Sequence, residues 1–476
     1  MIQMNLQDDI DLPYVRKVGH AADTLKLPAY IVGGYVRDLF LERPSKDIDF
    51  VAVGDGIALA RAVASSMGRN TRVNIFRTYG TAQIKTRGIE LEFVGARKES
   101  YTPESRNPEV SAGTLDEDLA RRDFTINAMA ISVNAGTFGE LLDPFNGIVD
   151  LHHSLIRTPL DPDTTFSDDP LRMMRAVRFA TQLDFYIEEK TFEAISRNAA
   201  RIRIITKERI NTELMKIMAS RRPSIGWHLL HQTGLLHYIL PELEALSGVE
   251  TVDGRGHKDN FQHTLQVLDN VARVSDNIWL RWAALLHDIA KPVTKHYDEK
   301  LGWTFHNHNF IGEKMIPKIF SRMKMPLNEH MKYVAKLVGL HMRPQSVGEE
   351  GVTDSAIRRM LFEAGADSED LMILAEADIT SKNPVKVRKI LQNFGMVRRR
   401  MVEVEEKDRI RNFQPPVDGR EIMAIFGIEP CNVIGQLKDR IKEAILDGRI
   451  PNDHDAARAL LIEFAVDYGL VPVKHV

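Results

Sequence analysis

The chain has 476 residues, a formal net charge of −3 and one cysteine, Cys431. This length suggests about three domains with ample core, and a lone cysteine excludes an intrachain disulfide and suits a reducing cytoplasm. No run of 18 apolar residues points to a membrane span, and the acidic start MIQMNLQDDIDLPYV lacks an apolar signal core, so a soluble cytoplasmic enzyme or scaffold is expected, in which a nucleic-acid partner would have to be held by local basic patches.

Taken in chain order, residues 13–26 read as a helix, and Tyr30 to Val32 as a short apolar strand running into Gly33-Gly34. The double glycine opens a helix over 34–41, and Asp47 to Val53 form a second strand. Three more strands are expected at Arg72 to Phe76, Thr81 to Lys85 and Ile89 to Val94, separated by Gly80 and Gly88. Residues 98–118, with Pro103, Pro108 and Gly113, read as a mobile loop. Strand signals fade near Val149, and helical periodicity dominates from about 165. Gly248 to Gly256 reads as a linker, Pro344 to Thr353 as a loop, and Pro415-Pro416 as a break before a small helical unit. The expected fold class is α+β: a mixed head followed by a long helical body.

The first chemical signal is Gly33-Gly34-Tyr35-Val36-Arg37-Asp38 followed by Lys46-Asp47-Ile48-Asp49-Phe50. Residues two apart on a strand share a face, so Asp47 and Asp49 project together and repel unless a cation lies between them. Magnesium ions bridging such carboxylates activate an attacking hydroxyl and stabilise a leaving pyrophosphate. Gly33 and Gly34 bring backbone N–H groups close to triphosphate oxygens, and Arg37 adds a fixed charge. A lone DxD is more often a solvated strand edge; the glycine turn at this spacing tips the balance. Glu92, on a neighbouring strand, is a third candidate carboxylate.

Further on, Arg121-Arg122-Asp123-Phe124-Thr125-Ile126-Asn127 offers Arg122 to a phosphate and Asp123 and Asn127 to ribose hydroxyls, against the alternative of a buried ion pair. In Asp168-Asp169-Pro170-Leu171-Arg172-Met173-Met174-Arg175-Ala176-Val177-Arg178, Pro170 suits a first helical turn capped by Asp168 or Asp169. Asp169, Arg172 and Arg175 then share a face. Cytosine and adenine each present an amino donor beside a ring-nitrogen acceptor, which a carboxylate and a guanidinium can read. Uracil and guanine present the opposite order. Arg175 and Arg178 remain for phosphates.

With LLDPFNG (Leu141 to Gly147) and TKERINTE (Thr206 to Glu213), these motifs resemble the bacterial CCA-adding tRNA nucleotidyltransferases, grouped with bacterial poly(A) polymerases in the polymerase-beta-like superfamily. The resemblance covers roughly residues 28–220. It departs at Asp168, where that family usually has glutamate. EFVGARKESY, Glu92 to Tyr101, looks more like the tRNA enzymes than the poly(A) polymerases. The resemblance implies metal binding at Asp47 and Asp49, base selection at Asp169 and Arg172, CTP and ATP as substrates, and a tRNA 3′ end as partner.

A second constellation comprises His263, His287-Asp288, His308, His341 and Asp378. It resembles the helical HD-domain metal phosphohydrolases, a family known fused behind CCA-adding heads. His308 is preferred to His306 because Asn309 follows. Imidazoles with carboxylates suit Mg²⁺, Mn²⁺ or a transition metal that generates hydroxide for phosphoester hydrolysis. Residues 382–411 hold ten Lys or Arg against four acidic residues, including Lys386, Arg388, Lys389 and Arg398 to Arg400, and offer a phosphate track. A tail module, Gly419 to Phe464, resembles the tail behind these HD domains, with Cys431 where glycine is common.

The expected organisation is a nucleotidyltransferase head at 1–150, a helical neck at 151–250, an HD domain at 251–400 and a tail at 401–476. The activity expected is addition of CCA, or part of it, to tRNA. A poly(A) polymerase, or an HD phosphohydrolase that uses the head for RNA binding, are the alternatives. Oligomeric state is not legible.

Overall fold

The computed structural model describes residues 4–473 apart from 69–70, 78–79, 87, 103–104, 253–254, 257–258, 350–352, 382, 409 and 411–412. The chain divides into two compact units, Met1–Pro241 and Glu242–Val476.

The first unit begins with helix α1 (Pro13–Leu25), strand β1 (Ala29–Val32), helix α2 (Gly34–Phe40), strand β2 (Asp47–Ala52) and helix α3 (Gly56–Met67). Strands β3 (Val73–Phe76), β4 (Thr81–Thr86) and β5 (Ile89–Gly95) follow. With β8 (Ala130–Ser132) and β9 (Leu141–Leu142) they form one sheet of order β3-β4-β5-β2-β1-β8-β9. The central pair β2 and β5 is parallel; the other neighbours are antiparallel. Parallel pairing requires a crossover, and α3 with the β3-β4 hairpin supplies it.

Alternation sets the two faces of β2. Ile48 and Phe50 are buried, and Phe50 stacks on Phe93 of β5 at 5.2 Å. Asp47 and Asp49 take the opposite face. Further along that face Val51 is buried in a cluster with Leu115 and Leu119 of α4 (Leu115–Ala120), so the sheet is covered at one end and open at the carboxylate end.

The sequence reading of 98–118 as a mobile loop is corrected. Strands β6 (Arg97–Thr102) and β7 (Ser105–Ala112) make an antiparallel hairpin, and α4 follows behind a capping box between Thr114 and Glu117. The β-signals of this stretch are masked by its polar composition; Pro103 itself lies outside the described residues. Strands also persist beyond Val149, as the short parallel pair Leu155–Ile156 with Tyr186–Ile187.

Helix α5 (Pro162–Asp168) precedes α6 (Leu171–Leu183), and α7 (Lys207–Met218) packs on α6. Asp168 closes α5 and does not cap α6. Asp169 does so, its Oδ1 accepting from the Leu171 N–H at 3.1 Å. Between α6 and α7, the Arg178 Nε lies 2.5 Å from Glu213 Oε2, with both side chains more than nine-tenths buried.

The second unit is helical. Helices α8 (Asn260–Ala272), α9 (Ile278–Leu286), α10 (His308–Arg322), α11 (Glu329–Leu340) and α12 (Ser368–Ala377) carry its core, followed by the long α13 (Pro384–Asp408). After Pro415-Pro416 come Gly419–Phe426, Asn432–Leu446 and His454–Ala465. The segments read as linker and loop are partly ordered: Thr251–Val252 pairs with Arg255–Gly256, and a helix covers Arg343–Glu349. No helix among the described residues is long and apolar enough to cross a membrane.

The Arg178–Glu213 pair fixes α6 against α7. Removing one partner of a buried pair strands the other charge, at about 3–5 kcal/mol. Glu213→Ala is therefore expected to lower the first unfolding transition clearly in a thermal melt. A melt that overlays wild type would mean the pair is not holding the two helices.

Candidate active site

Strand register builds the acidic floor of a cleft of about 750 Å³ in the first unit. Asp47 lies beside Glu90, and Asp49 beside Glu92, across the parallel β2–β5 pair. Asp49 also faces Val32, the residue before the glycine turn. Burial, with Asp47 adding to it and Arg122 opposing it, raises the Asp49 carboxyl above its ordinary value. Glu92 is raised too, by burial and then by Asp49. Adjacent carboxylates that resist ionisation together have the chemistry of a hard-cation site, and oxygen donors of this kind fit Mg²⁺.

Gly33 has φ +76°, and a Cβ there would stand 3.0 Å from Arg122 Nη1 and 3.3 Å from Asp49 Oδ2. Glycine is thus required both by backbone conformation and by close approach. Gly34, Arg37, Arg122, Asp123, Asn127, Asp169, Arg172, Arg175 and Arg178 border the same cleft. The structure therefore brings every head and neck residue singled out from sequence to one place.

Their partners differ. Arg122 is steered by Asp118, whose Oδ2 accepts from Nη2 at 3.1 Å; the fully buried Asp118 also holds Arg121. Asp123 is buried with both oxygens engaged: Oδ1 accepts from the Phe124 N–H and from Asn127 Nδ2, and Oδ2 from Arg175 Nε at 2.7 Å. Burial works against its ionisation, but Arg175 and Asn127 outweigh it and hold the carboxyl low. Asn127 Oδ1 in turn accepts from Arg37 Nη1 at 2.9 Å. One chain of hydrogen bonds thus runs Arg37–Asn127–Asp123–Arg175, from α2 to α6. Arg172 donates to the Arg121 carbonyl oxygen at 2.7 Å, and no ion pair joins it to Asp169 among the described residues. The Arg178 guanidinium lies over the Phe179 ring at 3.9 Å.

In the second unit, all six residues of the histidine-aspartate set converge. His263, His287 and Asp378 form one group and Asp288, His308 and His341 another, with donor atoms in each within 4.8 Å of one another. Asp288 joins them: its Oδ2 is 3.2 Å from His287 Nε2 and its Oδ1 is 3.3 Å from His308 Nε2. The Nδ1 atoms of His287, His308 and His341 donate to the carbonyl oxygens of Ala284, Phe305 and Val338 at 2.7–2.8 Å. That leaves each ring presenting Nε2 inward, the orientation a metal ligand needs. The buried His287 Nε2 has no aligned hydrogen-bond partner, as a ligand atom for a cation would. Burial and the nearby His287 push His341 down to about 4; His287 itself is raised to about 10 against its burial by Asp288. His308 sits in the cluster, while His306 is exposed.

Sequence reasoning missed several neighbours. Asp118 was signalled by its i, i+3 and i, i+4 spacing to Arg121 and Arg122. Lys291, whose Nζ donates to Asp288 Oδ2 at 2.6 Å, is likewise one turn beyond the pair it serves. Thr380, 2.8 Å from His263 Nδ1, had no local signal. Arg209 and Lys216 of α7 also border the head cleft. On α13, Arg398 pairs with Glu369 and Glu376 and Arg400 with Asp354 and Glu403, whereas Lys386, Arg388, Lys389 and Arg399 are exposed.

Comparison with known proteins agrees with this geometry. Residues 29–157 match the poly A polymerase head domain, 184–246 the probable RNA and SrmB-binding site of polymerase A, and 260–383 the HD domain. An A-adding tRNA nucleotidyltransferase of Deinococcus radiodurans is 30% identical over 438 residues, spanning 90% of this chain and 94% of that protein. A solved tRNA nucleotidyltransferase complexed with a primer tRNA and an incoming ATP analog is 26% identical, with a TM-score of 0.57 over 80% of this chain and 98% of that one. A CCA-adding enzyme solved with ATP shares the fold at a TM-score of 0.66 and 22% identity, over 98% of this chain and all of the other. With the head, the helix carrying Asp169 and Arg172 and the histidine-aspartate cluster all in place, the chain belongs to the family of tRNA nucleotidyltransferases and bacterial poly(A) polymerases that carry a fused HD domain.

Proposed function

We propose that this chain is a tRNA 3′-end nucleotidyltransferase that adds the CCA end, or part of it, from CTP and ATP with release of pyrophosphate. The observation that carries the reading is the convergence of Asp47, Asp49 and Glu92 with Asp169 and Arg172 on one cleft. The Deinococcus relative, aligned over nearly its whole length, favours terminal adenosine addition within that reading. We further propose the division of labour expected from sequence: head 1–150, neck 151–250, HD domain 251–400 and tail 401–476.

Asp47 and Asp49, with Glu92 beside them, would hold Mg²⁺, which when bound supplies charge stabilisation at the attacking and leaving oxygens. Arg37 and Arg122, flanking Gly33, meet the triphosphate. Asp123 and Asn127 act from beneath, holding Arg175 and Arg37, and stand near the ribose. Asp169 accepts from the exocyclic amino group of cytosine or adenine while Arg172 donates to the ring nitrogen. Arg175 and Arg178, each neutralised by a carboxylate, brace the helix and border the phosphates. In the second unit, His263, His287, Asp288, His308, His341 and Asp378 would hold a divalent metal, Mg²⁺, Mn²⁺ or a transition metal, which when bound supplies hydroxide for phosphoester hydrolysis.

The direct test is extension of three tRNA transcripts, ending before the CCA positions, after one C and after CC, with CTP and ATP together or singly. One adenosine on the CC transcript is expected; the shorter transcripts separate full from partial addition. Long adenosine tails would mean a poly(A) polymerase, and no extension of any transcript would overturn the reading.

Five variants test the residue roles. Asp47→Asn and Asp49→Asn should each lower transfer by about a thousandfold or more while the protein remains folded, since metal stabilisation is worth several kcal/mol. Near-normal turnover in either would remove it from the machinery.

Base choice is tested with all four nucleotides. A mismatched edge leaves a buried polar group unpaired, at about 1–3 kcal/mol. Asp169→Ala and Arg172→Ala should therefore narrow the preference for CTP and ATP over UTP and GTP, besides slowing transfer. An unchanged ratio in both variants would make the pair ordinary helix surface.

For the second unit, Asp288→Ala should lower the divalent metal that copurifies with the protein, measured by elemental analysis, and any phosphatase activity on phosphorylated or cyclic-phosphate RNA ends. Nucleotide addition should persist. Equal metal content in the two proteins would dismiss the cluster as a metal centre.

A further inference from the structure

Of the eight cationic side chains on the head cleft, the roles above engage five, and Arg121 is held by the buried Asp118. Two are left over, Arg209 and Lys216, both on α7. Seven residues apart, they lie about 20° apart around the helix and about 10 Å apart along it, so they present on one side. Glu213, between them, is buried and turned to Arg178 at 2.5 Å. Its charge is compensated inside the protein, and Lys216 comes no closer to it than 3.8 Å. No ion pair engages Arg209 among the described residues. Both side chains are exposed.

An exposed cation, free or in a long ion pair such as Lys216 with Glu213 at 3.8 Å, is ordinarily just solvated. These two differ because they border the same cleft as Asp47 and Asp49. Nucleotide transfer brings two polyanions together. The incoming triphosphate needs cations next to the metal-binding carboxylates, and Arg37 and Arg122 stand there beside Gly33. The primer brings backbone phosphates behind its terminal hydroxyl, and these need cations farther along the cleft. Helix α7 packs behind the base-facing α6, and it falls within the segment matching a probable RNA-binding site. With a rise of about 3.4 Å per nucleotide in a stacked strand, 10 Å spans more than one phosphate.

We infer that Arg209 and Lys216 form a phosphate rail for the backbone of the RNA primer, separate from the groups that hold the incoming nucleotide. The inference rests on the transferase reading. Because each cation that neutralises a phosphate releases counterions, it has a signature in salt dependence, at about 0.7–0.9 in log K per log salt for each contact.

The test uses the full chain and a tRNA transcript ending in CC, with ATP. Binding of the tRNA is measured by filter retention across a salt series, and KM for ATP in steady-state addition. Arg209→Met and Lys216→Met should each weaken tRNA binding several-fold, and the double variant should flatten the salt slope by about 1.4–1.8. KM for ATP should stay within twofold of wild type. Lys190→Met, on an exposed cation outside the cleft, should leave both unchanged, and Arg209→Lys and Lys216→Arg should restore the slope. An unchanged slope in the double variant, or a KM for ATP that rises in step with the tRNA dissociation constant, overturns the inference. In both cases the wild type still extends the primer. A wild type that does not extend it overturns the transferase reading itself.

Discussion

The first unit depends on cancelling charge inside a cleft that must stay charged. Eight cationic and six carboxylate side chains border it. Left free, the cations would repel one another, and left together, the carboxylates would resist ionisation. The fold resolves this by burying selected pairs. Arg178 meets Glu213, Arg175 meets Asp123, and Arg121 and Arg122 share Asp118. Each pair spends one charge to fix another in place. Buried pairs contribute little net stability compared with apolar packing, so their use is better understood as setting position. What they position is α6, the helix that carries Asp169 and Arg172 into the space above Asp47 and Asp49.

The chain Arg37–Asn127–Asp123–Arg175 extends this logic. It ties the helix after the glycine turn to the helix that carries Asp169 and Arg172. In the proposed reaction a nucleotide bridges the same two elements, phosphates at one end and base at the other. A nucleotide with the right base edge therefore meets two clamps whose spacing is already set. Preorganisation of this kind lowers the ordering cost of binding. It also makes base discrimination depend on residues that need not touch the base.

Legibility followed locality. Asp47 and Asp49 could be read as a shared face because a strand has a period of two, and β2 keeps that alternation from Asp47 to Phe50, with Ile48 and Phe50 turned inward. The place of Gly33 followed from its neighbours in sequence, but the reason for it, the approach of Arg122 and Asp49, is tertiary. Helix α6 was placed correctly, yet the cap was ambiguous because two aspartates precede Pro170, and only the fold shows that Asp168 ends the previous helix. The β6–β7 hairpin escaped because its polar residues and prolines look like a loop when no partner strand is in view. Glu213 and Thr380 could not be read as partners of Arg178 and His263 at all. Their contacts span 35 and 117 residues, and no local pattern carries them.

The histidine-aspartate cluster shows the same division from the other side. Its six residues are spread over 116 positions, on or next to helices α8 to α12, and their spacing alone is compatible with helix decoration. Convergence becomes meaningful through the outer contacts. Three of the four rings are held at Nδ1 by carbonyls of the preceding helical turn or loop, so their inward Nε2 atoms are set by backbone geometry and not by one another. The inner atoms also meet one another, His263 Nε2 lying 2.8 Å from Asp378 Oδ1 and Lys291 Nζ 2.6 Å from Asp288 Oδ2. Asp288 is shared between the two groups, and the buried His287 Nε2 faces it at 3.2 Å without an aligned hydrogen bond. Rings fixed from outside by the backbone and carboxylates shared at the centre are the arrangement that the proposed metal site requires.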